Sequence, residues 1–255
     1  MLLLLFACTA TADPQRSPEP TSSPEPASSP EPTTVREAFP APEDAERVDG
    51  GAFGDWLGAR AIAPADQPVR THDGRTVGHS ARVIELPLVR GDLQQCADSA
   101  IRLRAEWLKE TGGEVMYHAT SGDPMPWSRW SGGERPYDSG GTLAWKAGGD
   151  GSWEGYLRAV FMYAGTRSLA LDTEPAAEPR PGDILVEPGS PGHAVVLLDV
   201  ARDGDRTLVL VGEGYMPAQD FHVELGPIDG WWAWEDGVRL PHWTLPASGL
   251  RRWTR

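Results

Sequence analysis

Three residues far apart in the chain, Cys96, His193 and Glu213, carry side chains that together could perform thiol chemistry. Thiol hydrolysis needs a nucleophile that becomes anionic near neutral pH, an imidazole that takes and returns a proton, and an acceptor that fixes the imidazole's tautomer. Cys96, His193 and Glu213 could fill these catalytic roles in that order. Cys96 follows Asp92-Leu93-Gln94-Gln95, where Asp92 is the expected N-cap and Gln95 completes an Asp-x-x-Gln capping box. The thiol is then expected in the first helical turn, whose positive end lowers a thiol pKa and raises its thiolate fraction. Backbone N–H groups there, with the Gln94 or Gln95 amide, could stabilise the oxyanion of a tetrahedral intermediate. Gln219, Tyr215 and His222 are further candidates for lining the same cleft.

Each of these residues also has a plainer reading. Cys96 could be a small buried hydrophobe, and His193 a core histidine donating to a backbone carbonyl. Glu213 could pair with Arg104, whose charge projects into the apolar face of the Cys96 helix and needs a structural ion-pair partner. Metal catalysis is not expected, because no His-Glu-x-x-His run or Cys/His cluster occurs. The remaining His72, His79, His118 and His242 are isolated and show no ligand spacing, and no cofactor is expected.

The elements that must position these residues follow from periodicity. Leu93, Cys96, Ala97, Ala100, Leu103 and Trp107 fall on one side of a helix, and a second helix starts at Ser152 and stops at Gly165. Phe53, Trp56 and Leu57 fit a helical face, and the run from Arg82 to Leu88 fits a short strand. Strands are expected at 183–186, 193–201, 207–215 and 221–225, separated by Gly- and Pro-containing turns. Helices followed by an antiparallel meander read as α+β. The strand after His193 is so apolar that both its faces should be buried. An odd loop at Asp203-Gly204-Asp205 would set His193 opposite Tyr215 with Glu213 diagonal on the same face. A two-residue turn would separate them unless a bulge intervenes.

The order of a helix starting at Gln95-Cys96, then Pro181-Gly182-Asp183-Ile184, then Gly192-His193-Ala194-Val195-Val196, then a strand carrying Glu213, resembles the papain-like amidase and peptidase domains of bacterial cell walls, the CHAP and NlpC/P60 groups. That resemblance implies a papain-like core with helices packed on an antiparallel sheet, and an amidase or peptidase acting on cell-wall peptide. Gly214-Tyr215-Met216-Pro217-Ala218-Gln219 stands where those groups place an Asn soon after. The runs Asp92 to Asp98, Tyr163 to Thr166, Pro188 to Val195 and Tyr215 to Asp220 are similar to a bacterial family catalogued as a domain of unknown function, number 4846. Membership implies an exported protein of this architecture and supplies no activity.

At the start of the chain, Leu5-Phe6-Ala7-Cys8 resembles a bacterial lipobox with Cys8 as lipid anchor. The repeated Ser-Pro-Glu-Pro unit of 17–34 has no large apolar side chain and cannot offset its ordering entropy. The expected organisation is a lipoprotein-type leader over 1–16, a disordered stem over 17–45 and one globular domain over 46–255. Location would be the bacterial cell envelope, as an outer-membrane lipoprotein attached through its lipid. A net charge of −14 without clustered Lys or Arg argues against a nucleic-acid partner. Eleven Trp residues leave a second reading open. In that reading the protein is a non-catalytic envelope module gripping glycan or peptide through Trp127, Trp130, Trp231, Trp232 and Trp234.

Overall fold

The computed structural model describes residues 31–78 and 81–254, so the leader, Cys8 and His79 lie outside the described residues. The folded part begins before residue 46. Thr34 caps a short helix α1 (Val35–Ala38) by accepting from the Glu37 N–H, and Val35 and Phe39 are buried in the core. The stem expected over 17–45 therefore ends earlier, because its last residues include two large apolar side chains that the core can bury. A two-residue strand β1 (Glu46–Arg47) follows, and then α2 (Gly51–Gly58), which carries Phe53 and Leu57 inward as expected.

Strand β2 (Ala81–Val83) is shorter than the 82–88 run suggested: Ile84 forms a bridge to Ile62 and the Glu85 N–H turns to the Ala61 carbonyl. Helix α3 (Cys96–Thr111) ends on Gly112 at φ 74°, the left-handed conformation that glycine adopts without Cβ strain. Two small hairpin-like layers come next, β3 (Met116–His118) with β4 (Pro124–Pro126), then α4 (Trp127–Ser131), then β5 (Glu134–Asp138) with β6 (Leu143–Ala147). Ser152 caps α5 (Trp153–Tyr163) by accepting from Gly155 N–H at 3.0 Å, as its position predicts. After α6 (Leu169–Asp172) and β7 (Thr173–Pro175), the chain becomes extended.

The meander is β8 (Ile184–Glu187), β9 (His193–Asp203), β10 (Arg206–Glu213) and β11 (His222–Glu224), each antiparallel to the next. Strands β12 (Trp232–Ala233), β13 (Gly237–Arg239), β14 (Thr244–Pro246) and β15 (Leu250–Trp253) complete the chain. Among the described residues the main sheet is nine-stranded, ordered β2-β11-β10-β9-β8-β15-β7, with β1 on β9 and β12 on β10. The protein is thus α+β, with helices packed on an antiparallel sheet. None of the helices among the described residues is long and apolar enough to cross a membrane.

Both faces of β9 are covered, as its composition requires. Ala194, Val196 and Leu198 belong to the core shared with α3 and α5, alongside Leu103, Tyr156 and Val160. Val195 and Leu197 join a second core with Val238, Leu240, Leu245 and Leu250 from the C-terminal segment. The register resolves the alternatives left open by the sequence. Asp203 pairs with Arg206 around a two-residue turn, and the register shifts between Leu210 and Val211, where Leu198 is the extra residue of a bulge. Carried on past Gly212–Val196, the shifted register sets Tyr215 across from His193, with Glu213 on the same face two residues before it.

Candidate active site

The Cys96 helix starts three residues later than its Asp92 cap would have placed it. Gln95 is the N-cap and Cys96 the first helical residue, with Asp98 Oδ2 accepting the Gln95 N–H at 3.0 Å. Asp92 is used elsewhere: its Oδ1 accepts from Ala218 N–H at 2.7 Å and from the Gln95 amide at 3.3 Å. Those two bonds tie the helix entry to the loop that follows β10. Where α3 meets β10 the backbones are close, and a Cβ built on Gly214 would lie 2.5 Å from Ser99 Oγ.

The Cys96 sulfur reaches β9 at its first residues. It stands 4.0 Å from the Gly192 carbonyl oxygen, and the Ala194 N–H also points to it. The thiol therefore meets the strand at the two backbone neighbours of His193. Its pKa moves opposite to the sequence expectation, pushed up to about 11. Burial is the main cause and the Asp98 carboxylate adds to it, together outweighing the helix-start N–H groups that favour a thiolate. Asp98 is itself pushed up to about 8 by burial.

His193 is fully buried, and its Nε2 lies 2.8 Å from Glu213 Oε2. Its other nitrogen, Nδ1, is the one nearer its own backbone, and it has no hydrogen-bond partner. No thiol–imidazole hydrogen bond is therefore formed in this conformation. Strand alternation puts the His193 ring with Val195 and Leu197, on the side of the C-terminal segment. The helix delivers the sulfur to the end of the strand, beside residues 192 and 194.

Around Glu213 the structure gathers more than the sequence announced. His242 Nε2 lies 3.0 Å from Glu213 Oε1, His222 Nε2 lies 3.7 Å from the same oxygen, and His222 Nε2 is 3.6 Å from Glu224 Oε2. Burial alone would raise the Glu213 pKa, but hydrogen bonds from His193, His222 and His242 hold it well below the usual carboxylate range. His222 is fully buried. Burial disfavours its charge, yet its bonds to Glu213 and Glu224 raise its pKa to about 9. His242, read as isolated, closes this cluster from a turn 29 residues beyond Glu213; nothing in its local sequence signals that. Trp243 covers the other side, its ring centroid 5.2 Å from that of His193 and its N–H on Glu187 Oε2 at 2.7 Å.

His193, Glu213 and His242 present ligand-type atoms within 4.8 Å of one another, and so do Glu213, His222 and Glu224. Such donor sets have the chemistry of a divalent-cation site. Here they satisfy one another directly, and the 2.8 Å His193–Glu213 bond would have to break to admit an ion.

A cleft of about 270 Å³ opens on the Cys96 side, lined among others by Gln95, Asp98, Thr166, Ser190 and Met216. Of the proposed helpers, Gln95 lines this cleft, whereas Gln94 is fully buried with its Oε1 2.5 Å from an Arg102 guanidinium nitrogen. Tyr215 packs edge-on against His193 and His242, at 5.3 and 4.7 Å between centroids. Gln219 is buried in a bridge to Thr71. The Arg104 guanidinium lies over the rings of Phe53 and Trp107, at 4.7 and 4.2 Å from their centroids. Of the tryptophans that could form a gripping platform, Trp231 is wholly buried and donates to the Pro40 carbonyl. Trp130 is buried too, and Trp127 packs edge-on against Trp153 and Tyr156.

A family model described as Domain of unknown function (4846) matches residues 35–252. No curated protein and no solved structure matches the chain.

Proposed function

The chain belongs to that family, and we propose that it is a papain-like thiol hydrolase of the bacterial envelope, cleaving or transferring an amide bond in cell-wall peptide. The observation that carries the reading is the state of His193. Its Nε2 is anchored on Glu213, its Nδ1 is unpartnered, and the Cys96 sulfur sits against the backbone on either side of it. An imidazole held by one nitrogen and free at the other is what a thiol's general base requires. The carboxylate fixes the tautomer and supports the imidazolium that forms when the thiol proton is taken.

In the resting conformation the thiol is protonated. Closing the gap between sulfur and Nδ1 would transfer the proton to His193 and leave a thiolate facing the cleft. That thiolate attacks the amide carbonyl, the N–H groups at the start of α3 receive the oxyanion, and His193 returns its proton to the departing amine. Water, activated by the same imidazole, then releases the acyl group from sulfur. The lipid anchor at Cys8 and the stem would hold this domain at the membrane, within reach of the wall.

The experiment is digestion of purified peptidoglycan peptides, with mass spectrometry of the products. The expected result is a new amine terminus released by the wild-type chain and absent with Cys96→Ala or His193→Ala. Product formation that survives Cys96→Ala would refute a thiol mechanism.

A further inference from the structure

Glu213 is shared. On one side His193 Nε2 contacts its Oε2 at 2.8 Å, and on the other His242 Nε2 contacts its Oε1 at 3.0 Å. The two imidazole rings stand 5.7 Å apart, nearly perpendicular. His193 is sealed from solvent, whereas the His242 side chain is 29% exposed and is the cluster's route to water. It comes from the turn between β13 and β14, a different element from those carrying His193 and Glu213.

We infer that His242 is a positioning residue of this site that gates it by charge: neutral, it holds the Glu213 carboxylate in place for His193, and protonated, it draws that carboxylate's support away. The inference rests on the thiol-hydrolase reading and adds its control. The charged and titratable groups facing His242 are Glu213 from β10, Tyr215 after it, His193 from β9, and His222 and Glu224 from β11. His222, bonded to both carboxylates, holds one proton at neutral pH. Glu213, whose hydrogen bonds hold its pKa down, lies between the two imidazoles, and His242 is the one that water can reach with a proton. The hydrogen bond to Glu213 raises the His242 pKa, so the proton sits on His242 in acid. A second positive charge 5.7 Å from an imidazolium at His193 is opposed, and the Cys96 thiolate loses its partner. The site is quiet in acid and opens as His242 gives up its proton.

The test follows iodoacetamide labelling of Cys96 between pH 5.5 and 9 in the full folded domain. His242→Gln keeps a neutral donor to Glu213. It should label about ten-fold faster than wild type at pH 6, and the difference should shrink as pH rises and the wild-type imidazole gives up its proton. His242→Lys keeps a charge throughout and should remain slow to pH 9. These opposite effects distinguish charge from packing. Uniform slowing of both variants at every pH, or profiles that superimpose on wild type, would overturn the inference. His193→Ala in the same series separates the two levels. If it leaves labelling unchanged, the hydrolase reading itself fails, whatever His242 does.

Discussion

At the scale of single residues, the site is governed by which charges burial leaves uncompensated. Asp98 sits two residues after the thiol, caps the helix through Gln95, and helps push the Cys96 pKa upward. Asp98→Asn keeps an oxygen to accept the Gln95 N–H and removes the charge. Labelling of Cys96 at about pH 9.5, where the wild-type Asp98 carboxyl is ionised, should therefore speed up, by roughly three- to ten-fold. Unchanged labelling would show that the carboxylate does not feel the sulfur. Glu213 is the opposite case, a carboxylate whose loss strands buried imidazoles. Glu213→Ala should cost roughly 3–5 kcal/mol in urea denaturation.

The same residues set a pH window for stability. Glu213 has a lowered pKa when folded, so its contribution is present above about pH 4.5 and lost as pH falls below that. His222 has a raised one, so its contribution is complete below pH 6.5 and lost as pH rises through about 9. Asp98, raised from 3.8 to about 8, also costs stability progressively as pH rises between those values. The melting temperature should therefore fall between pH 6.5 and 9, and His222→Gln should flatten that fall. A wild-type protein that grows more stable over this range would contradict the assignment of charge.

At the scale of elements, the contact between the start of α3 and the end of β10 sets the geometry of the site. Gly214→Ala would drive a methyl group into Ser99 Oγ, 2.5 Å away, and must push helix and strand apart. The expected cost is about 1–3 kcal/mol, with altered Cys96 labelling. A variant with wild-type stability and labelling would show that the helix start has slack. How far this arrangement is legible beforehand depends on the element. Helices α3 and α5 and the meander show in the sequence because apolar period, caps and turn glycines agree. The bulge at Leu198 does not, since nothing in an unbroken apolar run marks the extra residue, and it decides which face Glu213 takes. His242 is invisible for a related reason. It joins the cluster through a turn far along the chain, and only the folded sheet brings that turn back over β9 and β10. The upward shift of Cys96 was also hidden, because a wheel locates a thiol at a helix start without showing how deeply it is covered.

At the scale of the whole molecule, the folded unit is larger than its composition suggests. The Pro-rich repeat has no core-forming side chains, but Val35 and Phe39 immediately after it are buried, and Arg47 pairs with Asp199 across β1 and β9. A chain beginning at Glu31 should melt like a longer one. A chain beginning at Glu46 forfeits two buried side chains, roughly 3–6 kcal/mol of apolar burial as an upper bound. Identical melting of the two would mean that α1 contributes no net stability. The buried Trp130 and Trp231 fit the same picture, in which aromatic residues help build the core, while a cleft stays open beside Cys96.

The central claim is that His193 can take the proton of Cys96. The most direct measurement is the second-order rate of iodoacetamide labelling at Cys96 from pH 6 to 11, for wild type and His193→Ala. If the imidazole acts on the thiol, wild type at pH 7 should label at least about ten-fold faster than the variant, with reactivity persisting far below the thiol's own titration. The variant should label only as pH approaches about 11, where a buried, unassisted thiol ionises. Two coincident curves, both rising only at that high pH, would contradict the account.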